Sequence, residues 1–387
     1  MKDVNKKGKE NIQPIIDKTY PIPFTSDNIK AIISPLKDTI NEISKEKIIN
    51  KAVKLHSDGN IKEAEKIYQY LISREMADYI VYCNYGIILK NNGNFEEARK
   101  SYNKAIQIKP DFAEAHSNLG IVLSDLGKLK EAEISQRKAI QINPNLAIAY
   151  YNLGSLLKDL GKLEEAEFNQ RKAIKLNPDF AEAYSNLANI LTEIGYLEEA
   201  EIIQRKAIKL NPNLALANSN LAGILKDLGK LQEAEFFQRK AIQVTPYNDI
   251  AYSNLATILI NLGKLKEAEI SIKKAIKIKP NVAKYHLNLG AIMINLGKLK
   301  EAKISTYRAI KLEPNFADPY YNLGKIMSDQ QKSYAAINHY KKAIELNNNL
   351  SIAKSNLIKS KGIICDWSDQ ERQSNWLKNI GIEGSSI

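Results

Sequence analysis

Residues Leu146 to Pro178 read LAIAYYNLGSLLKDLGKLEEAEFNQRKAIKLNP, and most of the chain copies, caps or departs from that pattern. Pro110, Pro144, Pro178, Pro212, Pro246, Pro280 and Pro314 recur at a constant step of 34 residues, and Gly93, Gly127, Gly161, Gly195, Gly229, Gly263 and Gly297 keep the same step. Within each unit the apolar and alanine positions follow a helical period, the glycine marks a turn and the proline stops the second helix. The spacing therefore predicts a helix, a tight turn, a second helix and a stop, reiterated along the chain.

In one copy the recurring residues are Tyr150, Leu153, Gly154, Leu157, Ala166, Gln170, Ala173 and Pro178. This pattern resembles the tetratricopeptide repeat (TPR), with Gln170 where an aromatic residue is usual. The resemblance spans residues 45 to 350 and implies an all-α, right-handed solenoid of antiparallel helix pairs, since one hairpin cannot cover its own apolar face and neighbours must stack. Gly154, Ala166 and Ala173 are expected where helices approach closely, because larger side chains there would cause overpacking strain of about 1 to 3 kcal/mol.

An unbroken repeat replaces the two or three globular domains that 387 residues would otherwise suggest. Residues 1 to 34 are polar, Lys-rich and carry Pro14, Pro21 and Pro23, and they read as a mobile tail. Ser34 and Pro35 have the form of a helix start, and the array is expected over residues 35 to 350. It begins with a degenerate hairpin from Lys45 to Asp78, followed by seven regular copies starting at Tyr79, Ala113, Ala147, Ala181, Ala215, Asp249 and Ala283. A weaker copy starts at Ala317, with Gln331 in place of the turn glycine and Asn348 in place of proline. Residues 351 to 387 are expected to cap the array: a first helix from Ser351 that breaks at Gly362, then a short helix from Asp369 to Ile380 carrying Trp376.

Cys83 and Cys365 have neither disulfide nor zinc-like spacing, which points to a reducing compartment. With no signal-like N-terminus and no apolar run of spanning length, the chain reads as cytoplasmic and without a membrane partner. The formal charge of +12 raises nucleic acid as a partner, but the bases recur in the second helices, as in Arg137-Lys138 and Arg171-Lys172, one or two turns after glutamates such as Glu133 and Glu167. That order suits the helix dipole and describes a solvated face without aromatic platforms for bases, so nucleic acid is not expected.

One polar column is unvaried. Asn50, Asn84, Asn118, Asn152, Asn186, Asn220, Asn254, Asn288, Asn322 and Asn356 lie at 34-residue steps, while the preceding column runs through Cys83, Ser117, Tyr151, Ser185 and Leu287. Asparagine is a mediocre helix former, so its place in mid-helix needs a reason. By the resemblance, first helices line the concave groove. There a ladder from Asn84 to Asn322 would offer a donor and an acceptor per hairpin to the backbone of an extended peptide. Two other readings stand beside it: the amides bond to the neighbouring hairpin, or the column records duplication. Asp125, Asp159, Glu193 and Asp227 recur seven residues after the ladder, and either make the groove acidic toward Lys- or Arg-bearing peptides or are helix-end acids facing water.

Residues 352 to 372, IAKSNLIKSKGIICDWSDQER, are similar to the junction between the repeat array and the catalytic region of O-linked N-acetylglucosamine transferases, notably Cys365-Asp366-Trp367-Ser368-Asp369 and Arg372. That resemblance implies the substrate-recognition part of such an enzyme, acting with a separately encoded catalytic partner or left by truncation. Within the sequence to Ile387 no nucleotide-sugar domain is expected, and none of that family's catalytic residues is carried over. His56, His116, His286 and His339 lie in separate copies without metal-ligand spacing, and packing is their expected role. No phosphate loop or nucleophile motif is present, and no cofactor is expected. Three functions remain: a non-enzymatic peptide-binding scaffold, the recognition portion of a glycosyltransferase, and a structural or self-assembling spacer.

Overall fold

A computed structural model describes residues 45 to 364, and among them it shows helices, turns and no strands. They divide into two compact units that meet in sequence at Tyr196 and Leu197. The first holds α1 (Lys45–Ser57), α2 (Ile61–Ser73), α3 (Tyr79–Asn91), α4 (Phe95–Ile108), α5 (Ala113–Asp125), α6 (Leu129–Ile142), α7 (Ala147–Asp159), α8 (Leu163–Leu176) and α9 (Ala181–Ile194). The second holds α10 (Leu197–Leu210), α11 (Ala215–Asp227), α12 (Leu231–Val244), α13 (Asp249–Asn261), α14 (Leu265–Ile278), α15 (Ala283–Asn295), α16 (Leu299–Leu312), α17 (Ala317–Asp329), α18 (Ser333–Leu346) and α19 (Ser351–Ile363). In each unit consecutive helices pack in sequence order, and the helix starts coincide with the copy boundaries read from the 34-residue step.

Three local devices set the hairpin. Gly161 adopts φ +73°, a left-handed conformation costly for L-residues, while Lys162 N–H reaches back to Leu157 O at 2.9 Å and closes the end of α7. A Cβ at Gly161 would meet nothing within 4 Å, so backbone angle and not space dictates the residue. At Gly154 the reason is the opposite: a Cβ there would lie 2.7 Å from Gln170 Nε2 and 3.1 Å from Ala166 O. Close approach of the paired helices requires the missing side chain, as the small-residue pattern predicts.

The third device joins hairpins. Asn177 Oδ1 accepts Asp179 N–H at 3.2 Å across the Asn-Pro turn, and Asn143, Asn211 and Asn347 repeat the bond with Asn145, Asn213 and Asn349. Pro110 O and Pro280 O are then bonded by His116 Nε2 (3.0 Å) and His286 Nε2 (2.8 Å), and Pro314 O accepts from Tyr320 O–H at 3.1 Å. The two histidines thus latch the turn before their helix, a more specific role than packing. Each unit has its own apolar clusters, around Tyr68, Tyr102 and Leu153 in the first and around Leu221, Leu259 and Tyr340 in the second.

At the C-terminal end α19 continues through Gly362 to Ile363, one residue past the expected break. The expected start at Ser34-Pro35, the tail before it and the helix at Asp369 lie outside the described residues.

Candidate functional site

The first helices carry the asparagine column, and the structure gives its members unequal environments. Asn84, Asn152, Asn186 and Asn322 are buried, Asn118, Asn220 and Asn288 are half-buried, and Asn254 is exposed. Several amides reach toward the residue just before the asparagine of the preceding hairpin. Asn118 Nδ2 lies 3.5 Å from Cys83 Sγ, Asn152 Nδ2 donates to Ser117 Oγ at 3.1 Å, and Asn356 Nδ2 donates to Tyr321 Oη at 3.3 Å. Each of these bonds uses one of the donor and acceptor positions a carboxamide offers. Asn322 Nδ2 is buried without a partner, an arrangement that costs free energy. Along the ladder, Asn254 is exposed, while Asn118, Asn220 and Asn288 each keep part of their surface in solvent. Gly223, one turn after Asn220, has open space where a Cβ would be.

Cys83, the acceptor for Asn118, is fully buried, and burial pushes its thiol up to about 12 despite the bond from Asn118. A thiol held neutral is a weak nucleophile, so packing accounts for it.

The four acids stand exposed at or next to the C-terminal ends of α5, α7, α9 and α11. Negative charge there opposes the helix dipole, so helix stability does not explain the recurrence. Glu193 pairs with Lys158 at 3.1 Å and Asp227 with Lys226 at 2.8 Å. The Asp125 carboxyl is raised above its usual range by desolvation, against the pull of Lys90. In α13 and α15 the column changes to Asn261 and Asn295, so the acidic series is not continuous in the second unit.

The basic second-helix residues are knitted into ion pairs. Arg137 binds Glu133 at 2.8 Å and also Glu165 of the next second helix, while Lys162 binds Glu133 at 2.9 Å. The second unit repeats this with Arg205, Glu201, Glu233 and Lys230, and again with Arg239, Glu235, Glu267 and Lys264. Sequence reading found the alternation of sign; it missed the reach between hairpins, which the Glu–Arg step of 28 residues implies once the hairpins are known to stack.

Among the described residues, no group of three or more His, Cys, Asp or Glu could hold a metal ion, and no helix is long and apolar enough to cross a membrane.

The family model of the tetratricopeptide repeat matches residues 147–180, 181–214, 215–248, 250–282, 283–316 and 317–350, more than half the chain. The chain belongs to the tetratricopeptide repeat family. A second model of that repeat covers 113–146, and one described as TPR repeat covers 86–127. Among solved TPR relatives, the Cut9–Hcn1 hetero-tetramer of APC/C is 16% identical with TM-score 0.59, over 82% of this chain and 63% of that one. YrrB, described as a TPR protein with an unusual peptide-binding site, is 26% identical with TM-score 0.40, over 48% of this chain and 96% of its own. PilF of Pseudomonas aeruginosa is 22% identical with TM-score 0.49, over 54% and 94%. No curated protein sequence matches this TPR chain.

Proposed function

We propose that this TPR protein is a non-enzymatic interaction scaffold that holds an extended polypeptide along its first helices, gripping the backbone through asparagine amides. The observation that carries this reading is the run Asn220, Asn254 and Asn288, one amide per consecutive hairpin, of which Asn254 is exposed and the others half-buried. Family membership supports the coarser half of the proposal, since stacked hairpins present extended binding surfaces. The full ladder from Asn84 to Asn322 contributes unequally: buried members brace the array, and members that keep surface in solvent face the ligand. Each new bond stabilises by about 0.5 to 1.5 kcal/mol, so several rungs must act together.

Asp125, Asp159, Glu193 and Asp227 would bias the first unit and the start of the second toward basic ligands, leaving the stretch with Asn261 and Asn295 neutral. Replacement of Asn220, Asn254 and Asn288 by Ala, tested on peptides selected against the native chain, should abolish capture with the helical CD signal intact. Undiminished binding by that triple variant would refute the reading.

A second reading rests on the similarity of residues 352 to 372 to a transferase junction: this array would present protein substrates to a glycosyltransferase region encoded separately. Only the part to Ile364 lies within the described residues, where it continues the array as α19. The adjoining reading frame decides, because a transferase region there supports this assignment and an unrelated gene removes it.

A further inference from the structure

The outer side of the second helices carries an apolar column that folding leaves uncovered. In the second unit its rungs are Ile202 (68% exposed), Phe236 (54%), Ile270 (61%) and Ile304 (71%), one per hairpin at 34-residue steps. Single exposed apolar side chains are ordinary, but four in register on neighbouring helices mark an interaction surface. The helices that carry them are joined side to side by ion pairs from Arg205 to Glu233 and from Arg239 to Glu267.

What fits this surface follows from its margins. Three residues before each rung stands an acid, as at Glu233, Glu267 and Glu301, and four residues after each stands a base, as at Lys240, Lys274 and Arg308. Positions i−3, i and i+4 share one helix face, so the surface is three parallel stripes: acidic, apolar and basic. The mixed sign disfavours an anionic lipid surface, which the acidic stripe would repel. It is instead self-complementary. A two-fold axis along the ladder lays the apolar stripe on its own copy and places each acidic margin against a basic one, the isologous arrangement of a cyclic dimer. The face is carried by four helices of 14 residues each, each about 21 Å long.

We propose that the chain forms a two-fold dimer through the Ile202, Phe236, Ile270 and Ile304 face, independently of any peptide bound on the first helices. The first unit repeats the same three stripes at Ile134 and Phe168, with Glu131 and Glu165 before them and Lys138 and Lys172 after.

Sedimentation velocity of the full chain between about 1 and 100 µM tests this. The native protein should pass from monomer to dimer, and the double variant Phe236→Glu with Ile270→Glu should weaken association by at least about thirtyfold. Both side chains are exposed, so unchanged CD and melting temperature confirm that the variant folds. The charge arm is specific to the two-fold: Arg308→Glu should weaken the dimer about tenfold, and adding Glu301→Arg to it should restore the affinity. A native chain that stays monomeric throughout, a dimer that survives the double variant, or a charge swap without rescue would each overturn the proposal.

Discussion

The two units use the same buried glutamine in opposite directions. In the first, Gln136 Nε2 donates to Ser117 O at 2.8 Å and Gln170 Nε2 to Tyr151 O at 3.0 Å, so each ties a second helix to the first helix of its own hairpin. In the second, Gln204 Nε2 donates to Ala217 O and Gln238 Nε2 to Ala251 O, both at 3.0 Å, tying a second helix to the hairpin that follows. The difference tracks one methyl group. Gly120 and Gly154 leave the path toward the preceding helix open, so close that an added Cβ would lie 2.6 and 2.7 Å from the respective Nε2 atoms. Ala222 holds the equivalent place before Gln238, and there the amide points onward. A small residue thus accompanies the direction of the Nε2 donor, while Gln238 Oε1 still accepts from Ser219 Oγ of its own hairpin at 3.2 Å.

The largest effect that should separate the units comes from truncating that amide. Gln170→Ala and Gln238→Ala should each cost about 2 to 3 kcal/mol in urea unfolding, through lost buried volume and a lost bond. Their hydrogen-exchange footprints should differ: faster exchange confined to α7 and α8 for Gln170, and spread across α11, α12 and α13 for Gln238. Identical footprints would show that bond direction has no energetic meaning.

Methyl insertion comes next. Gly86→Ala places a Cβ 2.7 Å from the ring of the fully buried Tyr102, which has no alternative path, and should cost about 1 to 3 kcal/mol. Gly154→Ala meets the flexible end of Gln170 as well as Ala166 O, and it gains about 1 kcal/mol of helix propensity. Its net change in urea unfolding should stay within about 1 kcal/mol, with Gln170 turning onward as Gln238 does.

The hairpins and their boundaries were legible because backbone geometry rests on a few residue types. Gly161 and its equivalents mark a positive φ, and Asn177-Pro178 marks a turn, whatever the neighbours. The direction of Gln170 was not legible, since it depends on whether a residue sixteen positions earlier carries a methyl group. The asparagine column shows the same limit. Its recurrence was plain, yet Asn84 is buried and Asn254 exposed, and the atom an amide meets changes with residues that do not recur, as Asn118 meets Cys83 Sγ and Asn152 meets Ser117 Oγ.

The eroded hairpin of the second unit offers a smaller, opposite effect. Gln331 holds φ +60° where regular copies have glycine, and the left-handed conformation costs a residue with a Cβ about 1 to 2 kcal/mol. Gln331→Gly should stabilise the unit by about 1 kcal/mol after the greater freedom of glycine in the unfolded chain is counted. A melting temperature that falls instead would mean that the Gln331 side chain contributes more than its strain removes.

The smallest separation is electrostatic. Bonds from Lys162 and Arg137 hold the Glu133 carboxyl below its usual range, and those from Lys273 and Lys298 do so for Glu269. For Glu201 and Glu235 desolvation acts the other way, but bonds from Lys230 with Arg205 and from Lys264 with Arg239 leave both lowered. A carboxyl whose folded pKa is depressed contributes stability that is complete above its unfolded pKa, near 4.3, and fades as pH falls through the lower folded value. Because the cationic partners stand in solvent, each pair adds only a few tenths of a kcal/mol and is screened by salt. Lacing by Glu201, Glu235 and Glu269 recurs through the second unit, so acidification from pH 6 to below about 4 should speed exchange of α10, α12 and α14 more than of α8. Salt at about 1 M, where the screening length is near 3 Å, should remove much of that contrast. His56, whose imidazolium is disfavoured by burial in the first unit, acts the other way and weakens that unit as pH falls below about 6.5, so faster exchange of the second unit that persists in high salt would rule out these ion pairs as its cause.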